Sequence, residues 1–176
     1  MKRCDALVDV GRRAFFARTA VMAAGAAAAA TVPAGHAKAA PAPALVTYPS
    51  TRLAHIKDLQ VDQAVQISYP DQDSPGVLLK LGTAVEGGVG PDRDIVAFST
   101  LCPHRGFPLS YSAKDRTLNC PGHYSRFDVE KGGLELWGHA AQNLPQFKLM
   151  IDQGGDIYAV AVDELIYGRL NNVLTS

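Results

Sequence analysis

The chain has 176 residues, with 17 Lys/Arg against 17 Asp/Glu and a formal charge of zero, which suits one domain with an appendage. Residues 1–39 hold six of the basic residues (Lys2, Arg3, Arg12, Arg13, Arg18, Lys38) and two acidic ones (Asp5, Asp9), leaving 11 basic and 15 acidic residues, net −4, in the remainder. A mildly acidic domain lacks the Lys/Arg excess from which phosphate affinity comes, so nucleic-acid binding is not expected, and a basic protein partner suits it better.

The first 39 residues read as a targeting segment. "GRRAFFARTAVMAAGAAAAATV" has paired arginines, two phenylalanines and then a mild apolar run, and "AKA" at 37–39 is a small-residue cleavage site. Arg12-Arg13 with Phe15 resembles the twin-arginine export signal, which predicts a periplasmic location. That route carries folded proteins and suits one that acquires a metal cofactor before export. The apolar run, Thr19 to Val32, is fourteen residues of mostly Ala and Gly. A membrane span needs roughly 20 apolar residues, so membrane association is not expected. An uncleaved anchor is the alternative, and an amphipathic helix of the fold is a further one. A Pro/Ala-rich spacer follows over 40–50, and the domain is expected over 51–176.

Along that domain the pattern is one of short strands and turns. "AVQISY" (64–69) alternates and is followed by a turn rich in Pro, Asp and Ser. "GVLLKLG" (76–82) predicts a second strand, and "DIVAFST" (94–100), after a Gly-rich loop, a third that runs into Cys102. "RTLNC" leads into Cys120, and "SRFDVEKGG" predicts a strand ending in a Gly-Gly turn. "QFKLMID" and "DIYAVAVD" flank "QGG" as a hairpin. Its register places Phe147, Leu149 and Ile151 on one face, matched across the pair by Ile157, Ala159 and Ala161. No long amphipathic helix is evident in residues 45–163. The fold class is therefore all-β, a small antiparallel sandwich or barrel, with a subdomain formed by two loops.

Three cysteines occur, and Cys4 falls in the targeting segment. The other two belong to Cys102-Pro103-His104 and Cys120-Pro121-Gly122-His123, separated by fifteen residues. Three chemistries compete for this constellation. A Cys102–Cys120 disulfide leaves both histidines unexplained. A structural zinc site is chemically sound, but zinc sites usually space paired ligands as C-x(2–4)-C and H-x(3–5)-H. A Rieske [2Fe–2S] cluster takes two cysteines on one iron and two histidines on the other. Each loop then supplies one ligand to each iron, which accounts for the mixed pairs. Two neutral imidazoles in place of two thiolates make the centre less negative and easier to reduce. Each histidine needs one nitrogen for iron, so the other is free to take up a proton on reduction. A potential flat from about pH 6 to 10 would exclude that coupling.

Over most of residues 45–176 the chain resembles the Rieske iron–sulfur family, and within it the small subunits of bacterial arsenite oxidases. The stretches that carry the closer resemblance are "CPHRG", "DRTLNCPGHYSRFDVEKGG", "LWGHAAQNLPQFKL" and "VDELIYGRLNNVL", with the twin-arginine signal. The resemblance implies a heterodimer whose large subunit carries a molybdenum pterin centre and a [3Fe–4S] cluster and oxidises arsenite. The small subunit then relays electrons to a soluble cytochrome c or azurin-like acceptor. It also implies that Cys102 and Cys120 bind one iron and His104 and His123 the other, with no catalytic acid, base or nucleophile on this chain.

The chain departs from the family at two places. Many members bridge their cluster loops with a disulfide, whereas the corresponding positions here are Phe107 and Gly122. A disulfide is typically worth about 2–4 kcal/mol. The loops must then be held by ligation, by burial of Phe107 or by the partner. High-potential members place a Tyr hydroxyl near a cysteine sulfur where this chain has Phe127. Ser125 keeps the hydroxyl that donates to a bridging sulfide. Donors near the sulfurs stabilise the reduced cluster, so Phe127 predicts a lower potential.

Of the remaining residues, His139 is expected on a surface loop, with a place beside the cluster as the alternative. His55 is expected at a strand end, and Trp137 in core or interface packing. Arg105 faces either solvent or a partner. Rival functions are a Rieske subunit of a quinol–cytochrome c oxidoreductase, a Rieske ferredoxin serving a ring-hydroxylating oxygenase and a zinc-stabilised binding module.

Overall fold

The structure, a computed structural model, describes residues 48–169. The expected export signal over 1–39, most of the spacer and the end of the C-terminal tail lie outside them. Ten strands follow one another: β1 (Thr51–His55), β2 (Val65–Ser68), β3 (Pro75–Lys80), β4 (Ile95–Ser99), β5 (Ser110–Ser112), β6 (Thr117–Asn119), β7 (Arg126–Asp128), β8 (Leu134–Trp137), β9 (Gln146–Ile151) and β10 (Asp156–Val162). The described helical segments are single 3-10 turns at Ile56–Asp58 and Val129–Lys131. All the ladders between these strands are antiparallel. The all-β expectation holds, and among the described residues no helix is long and apolar enough to cross a membrane.

The strands form two sheets. Six make the base, in the order β1-β10-β9-β4-β3-β2, and four make the upper sheet, in the order β5-β6-β7-β8. The upper sheet is inserted between β4 and β9, which are themselves neighbours through Ala97↔Phe147 and Phe98↔Gln146.

β3 and β4 explain how the two sheets share a core. Their sequences are nearly continuous apolar runs, the pattern of a strand covered on both faces. Alternate residues point to opposite sides of a strand. Val77, Leu79, Leu81, Val96 and Phe98 pack with Leu118, Phe127, Val129, Leu144, Cys102 and Cys120 of the upper part. Leu78, Ile95 and Ala97 face the other way, onto Phe147, Leu149, Ile157, Ala159 and Ile166 of the base.

The hairpin of β9 and β10 forms around the predicted turn. Phe147 and Leu149 are buried while Lys148 and Met150 are exposed. The pairing differs from the expected register in one respect. Ile151 and Leu149 face Ile157 and Ala159, but a bulge then sets Ala161 opposite Lys148 and Val162 opposite Phe147. One extra residue in β10 moves every later partner by one place. β5 and β8 were not anticipated, β1 only through the expectation of a strand end at His55, and β6 only as a segment leading into Cys120.

Arg116, in the turn between β5 and β6, ties the upper sheet to the base. Its guanidinium donates to Asp62 (3.0 and 3.1 Å), Glu130 (2.8 Å), Thr83 Oγ1 (3.1 Å) and the Leu81 carbonyl (2.7 Å). Those hydrogen bonds to Asp62 and Glu130 hold its pKa above the ordinary arginine value. Tyr111 of β5 donates to the same Asp62, and burial with that carboxylate pushes its hydroxyl up to about 12.

Candidate metal centre

Two loops carry the four predicted donors. The first follows β4 and closes on itself: Cys102 N–H donates to Phe107 O (2.9 Å), Gly106 N–H to Cys102 O (2.7 Å) and Leu109 N–H to Thr100 O (2.8 Å). The second is the turn of the β6–β7 hairpin, whose last pair is Asn119↔Arg126, and Cys120 N–H donates to Ser125 O (2.8 Å). Tyr124 turns this loop with φ +62°, in the left-handed region. Each loop is therefore held by rigid strands on both sides.

The rings of the two histidines meet across the loops, and the two cysteines lie in one buried cluster. Cys102 and Cys120 are buried and unbridged, which removes the disulfide alternative. The rings of His104 and His123 stand 4.7 Å apart between centroids, at 78°. Burial pushes the Cys102 thiol up, and the backbone N–H groups of His104 and Arg105 oppose this by donating toward its sulfur. Burial, then His123, Arg105 and His139, hold the His104 pKa below the ordinary value, which keeps the ring a neutral ligand.

Two orphaned atoms test the fit to a cluster. Nδ1 of His104 and Nδ1 of His123 are sealed from solvent and have no hydrogen-bond partner. Leaving a buried polar atom unpaired costs about 1–3 kcal/mol, so two such atoms on facing rings mark where ligand bonds belong. The two cysteines come from different loops, and so do the two histidines, so each loop offers one donor to each iron of a Rieske centre.

Residues 50–148 match the Rieske [2Fe–2S] domain family. The chain belongs to the Rieske iron–sulfur family. A Rieske domain binds one [2Fe–2S] cluster, and Cys102, His104, Cys120 and His123 are the residues here that fit it. The chain is 41% identical over 128 residues to the iodate reductase subunit IdrB of Denitromonas iodatirespirans, covering 71% of this chain and 69% of that protein. It is 41% identical over 124 residues to the iodate reductase subunit IdrB of Pseudomonas sp. (strain SCT), covering 69% of this chain and 64% of that protein. The soluble domain of the Rieske protein II (soxF) from Sulfolobus acidocaldarius superposes with a TM-score of 0.58 at 28% identity, over 65% of this chain and 78% of that one.

Around the Rieske ligands the structure adds a third loop, 138–145, to the two expected. Its backbone N–H groups at His139 and Ala140 both donate to Ser125 Oγ, each at 3.0 Å. The hydroxyl accepts twice and keeps its own proton to donate. Gly138 permits this approach: a Cβ there would lie 2.2 Å from Ser125 Cα. Phe127 is fully buried among the apolar side chains beside the two cysteines and offers no donor.

Phe107 and Gly122 meet, although not through the burial that was one of the alternatives. Phe107 is 43% exposed rather than buried. Its ring nonetheless covers Gly122, where a Cβ would lie 3.0 Å from two ring carbons, and it stands edge-on to His123 at 5.8 Å. The residues at the family's bridge positions thus touch through a ring and a bare backbone. His139 lies on an exposed loop and also beside the ligands: its ring stacks on His104 at 5.6 Å and 23° and meets His123 at 5.9 Å. Both positions weighed from the sequence are thus occupied at once, although no local pattern links residue 139 to residue 104. Trp137 does not enter the core. It ends β8 at 69% exposure, and Tyr124, beside His123, is 73% exposed. Arg105 is exposed at the same end, and His55 ends β1 as expected.

Proposed function

We propose that this chain is the electron-transfer subunit of a periplasmic molybdenum oxidoreductase of the arsenite-oxidase type. The observation that carries the electron-transfer part is the pair of sealed, partnerless Nδ1 atoms on the same two loops that carry two buried, unbridged thiols. When bound, a cluster with two imidazole ligands is reduced at roughly −150 to +300 mV, against about −400 mV for plant-type ferredoxins. Cys102 and Cys120 would hold one iron, and His104 and His123 the other. Ser125, whose hydroxyl accepts from His139 and Ala140 N–H, would have its proton free to donate to a sulfide of the bound cluster. Phe127 withholds a donor, which sets the potential below that of quinol-oxidising members.

The partner is a large subunit with a molybdenum pterin centre and a [3Fe–4S] cluster, and a soluble cytochrome c or azurin-like protein takes the electrons. The resemblance in residues 115–133 and 136–149 supports this assignment. Exposed Phe107, Tyr124 and Trp137 near the histidines offer apolar surface for protein docking. Twin-arginine export supplies the periplasmic location. Similarity to iodate reductase subunits favours a second reading, in which electrons flow toward the large subunit and reduce an oxyanion.

Purifying the C-terminally tagged chain with its partners from the native periplasm tests these readings. Iron with molybdenum and arsenite-dependent dye reduction is the expected result. Iron with molybdenum and iodate-dependent oxidation of a reduced dye would select the second reading. Iron without molybdenum would overturn both partner assignments.

A further inference from the structure

The loop bearing Cys102 and His104 turns through Gly106, whose φ is +69°. Glycine adopts this conformation without the penalty a side chain would bring. The absent side chain also leaves a flat patch of backbone, and Tyr167 fills it. A Cβ built on Gly106 would lie 2.4 Å from Tyr167 Cε1 and 2.6 Å from Cδ1.

Tyr167 belongs to the segment after β10, which the rest of the molecule pins at several points. Asp163 accepts from Gln146 N–H (2.7 Å) and Lys148 Nζ (2.9 Å). Ile166 is buried in the base core. The Leu165 carbonyl accepts from Gln142 Nε2 (3.2 Å), and Arg169 pairs with Asp71. Gln142 lies in the third loop and Gly106 in the first. One strap anchored in the base therefore braces two of the three loops around the ligands.

We propose that Tyr167 is a positioning residue for the metal centre, pressing its ring on Gly106 so that the base of the molecule fixes the first ligand loop. The contact supplies a restraint where the chain has no disulfide. Phe107 joins the first loop to the second through Gly122, and Tyr167 joins the first loop to the base. The restraint has an electronic consequence. Gly106 N–H donates to Cys102 O (2.7 Å), so the backbone turn beside the Cys102 sulfur closes at Gly106. A loop free to lift at Gly106 opens that turn and displaces the amides nearest the sulfur, and weaker donors to sulfur lower the potential. The inference rests on the Rieske centre and not on which oxidoreductase it serves.

Full-length, cluster-loaded Tyr167→Ala and Tyr167→Phe proteins decide the matter. Redox titration, the electron paramagnetic resonance of the reduced state and the half-life of the cluster under chelator are the readouts. Tyr167→Ala is expected to lower the potential, shift the resonance and shorten the half-life several-fold, with the far-ultraviolet spectrum of the sheets retained. Tyr167→Phe is expected to match the parent, because ring carbons make the contact. Gly106→Ala creates the clash from the other side, and adding Tyr167→Ala to it should restore part of the loss, a coupling that independent sites do not show. Unchanged potential and resonance in Tyr167→Ala would overturn the proposal, as would additivity in the double variant. An unfolded Tyr167→Ala protein would also overturn it, because the strap would then serve the whole domain rather than one loop.

Discussion

The base and the upper sheet are built from the same kind of hairpin, yet they are stabilised differently. In the base β3 and β4 are buried almost throughout, and β9 and β10 run for six and seven residues. In the upper sheet β5, β6 and β7 have three residues each and β8 has four, largely exposed. Strands that short fall below the usual five to six and cannot enclose a core of their own. They borrow one from β3 and β4 and end in the ligand loops. The base is thus held by apolar burial, whereas its neighbour is completed by ligation, in which binding free energy is also folding free energy. Stability and function are thereby assigned to different regions of one chain.

The largest effect should come from breaking ligation alone. Cys120→Ser is expected to abolish the visible absorbance and resonance of the cluster while the far-ultraviolet spectrum of the base persists. Collapse of both signals together would show that the two regions are not separable. Next comes Phe98→Ala, which removes a fully buried ring facing the upper sheet. It should cost about 3–5 kcal/mol, read as a lower denaturation midpoint. A loss below about 1 kcal/mol would mean that the shared core matters little. Phe127→Tyr sharpens the contrast on the functional side. It should raise the potential by up to about 60 mV, the one-electron equivalent of about 1.4 kcal/mol, with less change in denaturation than Phe98→Ala. No rise would place the added hydroxyl out of reach of sulfur.

The smallest effect belongs to the edge of the base. The hydrogen bond from Arg52 holds the Asp156 carboxyl below its ordinary value. A carboxyl depressed on folding adds stability above its unfolded pKa of about 3.9, and that stability is lost as pH falls through the folded value. Arg52→Ala should return the Asp156 pKa toward the ordinary range and slightly flatten the acid limb of the stability curve. An NMR titration in which Asp156 does not move would remove the ion pair from the account.

The candidate ligands could be singled out because their chemistry is local: two thiol–imidazole pairs at fixed spacing mark four donors before any fold is known. Hairpin β9–β10 was legible from alternation and its glycine turn. The bulge near Val160 was not, since an extra residue leaves the apolar alternation of Ile157 and Ala159 intact and changes only what lies across. Ser110–Ser112 lacks an apolar face, so β5 left no periodic trace. His139 reaches His104 through the bond from its own amide to Ser125, a contact that depends on Gly138 and on the fold of two hairpins. Burial of Phe107 was one of three ways offered for holding the unbridged loops, but its ring needs only the bare backbone of Gly122 and keeps one side open.

Because β4 and β9 are adjacent, the entire upper region is a splice into an existing hairpin, and Ser99 N–H already donates to Pro145 O at 3.0 Å across its mouth. Topologically, residues 100–144 could be replaced by a short turn or grafted into another antiparallel barrel. Energetically they are not detachable. Excision would strip the cover from Val77, Leu79, Leu81, Val96 and Phe98. Exposing five such side chains costs roughly 7–15 kcal/mol at about 1.5–3 kcal/mol each, as much as the whole net stability of an ordinary domain. A transplanted redox module would therefore have to bring β3 and β4 with it, which makes those two strands, rather than the ligand loops, the smallest boundary at which this electron carrier could be moved between scaffolds.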